Sequence, residues 1–141
     1  MRAARPRTPL KFVGWCFPCH PRSVGRARRL LREEARDWPV GEETTDVAVL
    51  LLSELMANAC RHGRTMPERE VRALCTVDGE KLRIEVSDAG RGVPRVRQAG
   101  DDDEAGRGLA LVAALADLWN VSLRPHGTGK TVWCELRLRQ E

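Results

Sequence analysis

The spacing of apolar positions changes several times along the chain, and each change marks an element. Leu10 to Phe17 alternates weakly, as a half-buried strand does. Val24, Ala27, Leu30, Leu31, Ala35 and Trp38 then recur at helical spacing, behind Ser23 as a candidate N-cap. Pro39 and Gly41 end that helix. A second helix is predicted from Glu42 to His62, with acidic residues in its first turn where the helix dipole favours them. Glu70 to Asp88 reads as two strands joined around Asp78-Gly79, a strong hairpin signal. Residues 89–108 are glycine-rich and charged, as in a long loop. Leu109 to Trp119 is apolar nearly all round, which predicts a buried helix. Asn120 to Pro125 and Thr131 to Arg139 read as the last two strands. The order is strand, two helices, two strands, helix, two strands, with no internal repeat. It predicts one α/β domain over residues 10–139, behind a basic arm at residues 1–9. The architecture expected is a two-layer α/β sandwich, a mixed sheet with helices on one face.

Composition narrows the function. The 141 residues suit a single core. No apolar run reaches the about 18 residues a membrane span needs. The first residues are basic but lack an apolar stretch behind them, so a cytoplasmic protein is expected. The net charge of +4 is concentrated before residue 33. That basic segment could meet phosphates, an acidic protein or only solvent. No nucleic-acid-binding signature follows it, so no direct DNA binding is expected.

Four motifs carry candidate chemistry. In "ELMANACRHG", Glu54, Asn58 and His62 share one helical face within the most apolar segment of the chain. A carboxylate and an amide there are costly without partners, and magnesium, phosphate oxygens or a hydroxyl would serve. In "VSDAGRGVP", a strand ends at Asp88, which could accept a hydrogen bond from an exocyclic amine. Gly90 and Gly92 then allow close backbone approach to a ligand. In "GRGLALV", Gly106 and Gly108 are read as opening a helix, where free amides bind phosphate. The fourth, "HGTGKTVW", suggests a P-loop but fails the test. Arg124 stands where the first glycine should be, and a strand follows instead of a helix.

Taken in this order, the four motifs resemble the N, G1, G2 and G3 boxes of the Bergerat-fold (GHKL) ATPases. The closest likeness is to the stand-alone anti-sigma factor serine/threonine kinases, since "SVGRARRLLRE" is similar to their first helix. The resemblance implies ATP and Mg2+ as cofactors, Asn58 as the metal ligand, and Glu54 as catalytic base. Arg28 would reach the ATP site from near the partner interface. Asp88 would recognise adenine, with Gly90 and Gly92 beneath the base. Residues 93–106 would form a lid, Gly106, Gly108 and Leu109 would hinge it and contact phosphates, and Thr131 would support adenine recognition. The implied partners are a sigma factor, an anti-anti-sigma protein of STAS type and a second copy of the chain. A nucleotide-gated module that only sequesters its partner, or an ATPase domain detached from a sensor kinase, are the alternatives.

One short stretch stands apart. Cys16-Phe17-Pro18-Cys19-His20 matches the C-x-x-C-H pattern of covalent haem attachment. Five scattered cysteines do not suggest a disulfide framework, and the only other short-spaced ligand pair is Cys60 with His62. Neither haem nor zinc is expected, and the stretch is read as a strand end and turn.

Overall fold

The computed structural model describes residues 10–61, 69–88, 102–123 and 129–138. Within them run β1 (Lys11–Pro18), α1 (Pro21–Ala35), α2 (Glu42–Arg61), β2 (Glu70–Val77), β3 (Lys81–Asp88), α3 (Asp102–Leu115), β4 (Leu118–Leu123) and β5 (Lys130–Arg137). The element order is the one the apolar spacing predicts. The strands form one sheet in the order β1-β2-β3-β5-β4. The sheet expected as mixed is antiparallel at every pairing.

Strand alternation sets the two faces. Val71, Ala73, Cys75, Val77, Leu82, Ile84, Val86, Val132, Cys134 and Leu136 are buried on the side the helices cover. The other face carries Arg83, Glu85, Trp133 and Glu135. There the Arg83 guanidinium lies 4.0 Å from the Trp133 ring centroid and bonds Glu85 and Glu135. Such a stack lets a charged side chain cover an aromatic one at the open surface.

α2 is the middle helix of the covering layer. It packs on α1, on α3 and on β2, β3 and β5. It therefore buries a broad stripe: Ala48, Val49, Leu51, Leu52, Leu55, Met56 and Ala59. α1 buries a narrower line, Ser23, Ala27, Leu31 and Ala35, at intervals of four.

The N-cap expected at Ser23 is His20 instead. Its Nδ1 accepts from the Arg22 N–H at 3.0 Å, and Pro21 occupies the first turn, where its missing N–H costs nothing. Ser23 is buried one turn in, its hydroxyl donating to the Pro18 carbonyl at 2.7 Å. The hairpin turn forms as expected: Asp78 Oδ1 accepts from the Glu80 and Lys81 N–H groups, which lowers its pKa.

α3 differs from expectation at both ends. It starts at Asp102, so Gly106 and Gly108 lie inside the helix and do not open it. An acidic run such as residues 102–104 is what a helix start favours. It stops at Leu115, and Trp119 belongs to β4, paired with Cys134. Over residues 109–115 the helix is buried on one side. Val112 is in the core, whereas Ala110, Ala113 and Ala114 are exposed, small enough that exposure costs little. Among the described residues, no helix is long and apolar enough to cross a membrane.

The packing predicts a contrast within α2. Leu52 is fully buried and its neighbour Leu50 is 40% exposed. Leu52→Ala should lower unfolding free energy by about 2–5 kcal/mol. Leu50→Ala should stay within about 0.5 kcal/mol. Urea denaturation of the two variants checks this.

Candidate functional site

The C-terminal half of α2 carries the first part of the site. Asn58 is 2% exposed, and among the described residues neither its Oδ1 nor its Nδ2 has a hydrogen-bond partner. Glu54 lies one turn earlier and is half-buried, with no hydrogen bond or ion pair among the described residues. Packing on three sides holds this helix in place. The pair is thus a buried amide and a half-buried carboxylate one helical turn apart on one face.

The second part is the end of β3. Alternation turns Asp88 to the helix side, along with Leu82, Ile84 and Val86, and it is 6% exposed. Arg69, which stands just before β2, forks onto it: Nε donates to Oδ1 at 2.8 Å, and a terminal nitrogen pairs with Oδ2. The register explains the meeting, since Val71 pairs with Asp88. The fork engages both carboxylate oxygens, so Arg69 holds the orientation of Asp88.

Two further features close on Asp88. Gly129 has a φ of +126°, and a Cβ there would lie 3.2 Å from the Asp88 carbonyl oxygen. Only glycine meets both demands at low cost. Cys19 donates its backbone N–H to the Arg69 carbonyl at 2.9 Å. Its thiol accepts a hydrogen bond from the Cys60 thiol, which holds Cys19 below the ordinary thiol value, although burial and the Asp88 charge oppose the shift. The same bond, together with burial, pushes Cys60 up. Cys16 faces elsewhere: its thiol donates to Glu70 Oε2 at 3.0 Å, and that bond raises its pKa. The two cysteines of C-x-x-C-H thus serve different partners, and His20 caps α1. Among the described residues, no group of three or more His, Cys, Asp and Glu is placed to hold a metal ion.

The remaining sequence candidates divide. Thr131 bonds Ser87 through the two hydroxyls at 2.8 Å. Its register with Ser87 puts it on the open face, opposite Asp88, so the structure does not bring it to that carboxylate. One residue earlier, Lys130 is the β5 residue on the Asp88 face. Arg28 is exposed on α1, apart from the line that packs inward. Leu109 is half-buried and packs on the core. Gly106 and Gly108 lie in α3. Gly90, Gly92 and His62, and most of the expected lid at residues 93–106, lie outside the described residues. Arg69 and Gly129 were not among the sequence candidates. The signal for Arg69 was a basic residue leading into a strand whose hairpin partner ends in aspartate.

The model of the histidine kinase-like ATPase domain matches residues 17–135. The chain belongs to this family. Its fold is similar to the RsbU and RsbW domains of Rv1364c from Mycobacterium tuberculosis, with a TM-score of 0.67 and 21% identity over 93% of this chain and 33% of that one. The chain thus spans a third of the length of that structure. The histidine kinase domain of the blue-light activated histidine kinase from Erythrobacter litoralis EL346 is similar at a TM-score of 0.49 and 24% identity, over 86% of this chain and 61% of that one. No curated protein matches the chain. Within this histidine kinase-like ATPase fold, Asn58 and Asp88 are buried polar residues in the layer between the helices and the sheet.

The Arg69–Asp88 pair is buried, its side chains 12% and 8% exposed. Arg69→Met should therefore destabilise the fold by about 3–5 kcal/mol, because it removes the partner that forks onto a buried carboxylate. Adding Asp88→Asn should recover part of that loss. A double-mutant cycle by chemical denaturation checks it.

Proposed function

We propose that the chain binds ATP with magnesium and transfers the γ-phosphoryl group to a serine of an anti-anti-sigma protein, so regulating a sigma factor. The observation that carries the reading is Asn58, a buried amide with both polar atoms unsatisfied, one turn from the free carboxylate of Glu54. Leaving such a group unpaired costs about 1–3 kcal/mol, which a bound ligand offsets.

Magnesium fits this amide. Oδ1 is a hard oxygen donor of the type the ion takes, and among the described residues no group engages it. When bound, the ion supplies charge neutralisation at the phosphates. Asn58 Nδ2 remains a donor for a phosphate oxygen. Asp88, oriented by Arg69, accepts from the exocyclic amine of adenine. Glu54 takes the proton of the serine hydroxyl as that oxygen attacks phosphorus, while the leaving oxygen departs with the diphosphate. The partners proposed follow the RsbW domain named in the similar structure.

Isothermal titration tests the pocket. Wild type should bind Mg-ATP and Mg-ADP, and Asp88→Asn and Asn58→Ala should each weaken both. No heat with wild type, or unchanged binding by both variants, overturns the assignment.

Transfer is tested separately. Glu54→Gln should keep ATP affinity and lose about 10²–10⁴-fold in phosphate transfer to the cognate anti-anti-sigma protein. Labelled γ-phosphate measures it. If wild type binds ATP and a sigma factor but transfers nothing, the chain is a nucleotide-gated binding module. Equal rates for wild type and variant remove Glu54 as the base.

A further inference from the structure

Arg69 stands just before β2 and reaches across to the end of β3. Strand alternation puts it on the face of Val71, and Val71 pairs with Asp88. Arg69 and Asp88 are thus diagonal neighbours on adjacent strands, within reach of a long side chain. The Arg69 backbone is fixed as well. Its carbonyl accepts the Cys19 N–H at 2.9 Å, one step beyond the Pro18–Glu70 pair, so the β1–β2 ladder runs on to this residue. The guanidinium then forks onto Asp88, Nε–H donating to Oδ1 at 2.8 Å and a terminal nitrogen pairing with Oδ2. Gly129 closes in from the β5 side, where a Cβ would lie 3.2 Å from the Asp88 carbonyl oxygen and 3.7 Å from the Asp88 Cβ.

A fork does what a single charge does not. The torsion that turns an aspartate carboxylate is broad, so an unheld Asp88 would present its oxygens over a range of directions. Two parallel bonds from a planar guanidinium remove that rotation and set the plane of the carboxylate. Thr131, the sequence candidate for supporting the base, bonds Ser87 on the open face, so the support beside Asp88 comes from Arg69.

We infer that Arg69 determines the base specificity of the site: it is a positioning residue that makes Asp88 select a base carrying an exocyclic amine. The inference rests on the nucleotide reading above, in which Asp88 accepts from that amine. A buried carboxylate fixed in direction favours a donor at that place on the base, and loss of the donor leaves it unmatched. A carbonyl in the same place would set acceptor against acceptor. When the carboxylate can turn, binding the amine must first order it, and the advantage of the amine shrinks. Arg69 acts through Asp88 and not on the base.

Lysine separates orientation from charge, because Arg69→Lys keeps a cation beside Asp88 but has no fork. The test is isothermal titration of the full chain with the magnesium complexes of ATP, of purine riboside triphosphate, which lacks the exocyclic amine, and of inosine triphosphate, which carries a carbonyl in its place. Wild type should bind ATP at least about tenfold more tightly than either analogue. In Arg69→Lys that preference should fall below about threefold, while affinity for purine riboside triphosphate stays within about twofold of wild type. Partial unfolding lowers all three affinities together and leaves their ratios, so the ratio reads the position of the carboxylate. Arg69→Gln, which keeps a donor without the fork, gives the same reading where the lysine variant does not fold. An unchanged preference in the variants overturns the inference and leaves the nucleotide site standing. Equal affinity of wild type for ATP and either analogue also overturns it, because the amine is then not read at Asp88. No binding of any of the three by wild type overturns the nucleotide reading and this inference with it.

Discussion

The structure turns on a polar intrusion into an apolar layer. α2 packs on α1, α3 and three strands, and Asn58, buried in that helix, has no hydrogen-bond partner among the described residues. Helix stability alone would favour leucine there. An unsatisfied amide persists because the surrounding core over-determines it, and its position is rigid for the same reason. Asp88 enters the same layer from the sheet, but its charge is matched by Arg69. Asn58 and Asp88 therefore differ: the carboxylate is held by Arg69, and the amide has no hydrogen-bond partner among the described residues.

The two sheet faces divide the labour. The helix side buries the core and ends in Asp88, flanked by Gly129 and the Cys19–Cys60 pair. The open side is stitched by Arg83, Glu85, Trp133 and Glu135. A one-residue step along β5 moves a side chain between these environments. Thr131 illustrates this, since its hydroxyl meets Ser87 and not Asp88.

Elements and their order were legible because each apolar run keeps one period. The polar positions of α2 at Glu54 and Asn58 stood out in an apolar run, and Asp88 stood out as a strand end before glycines; the structure half-buries Glu54 and buries the other two. Details that depend on local competition were not. Ser23 outranks histidine as a cap by propensity, yet Pro21 fixes the helix start earlier, and His20 takes the role. The acidic run after residue 100 reads equally as loop or as helix start, and α3 takes it as a helix start. Tertiary pairs were hidden altogether. Cys16 and Cys19 are neighbours in sequence, but strand alternation and Pro18 turn them to different partners, Glu70 and Cys60. Arg69 needed the β2–β3 register before its contact could be seen.

The central claim is that the unsatisfied Asn58 amide is the receiving group of a nucleotide–magnesium site. The most direct measurement is two-dimensional ¹⁵N NMR of the Asn58 side-chain amide during titration with a non-hydrolysable Mg-ATP analogue. The account predicts that the Asn58 Nδ2 resonances and the Asp88 backbone amide shift together and saturate at the same nucleotide concentration. Stationary Asn58 signals, with saturable shifts confined to the open face around Trp133, would contradict it.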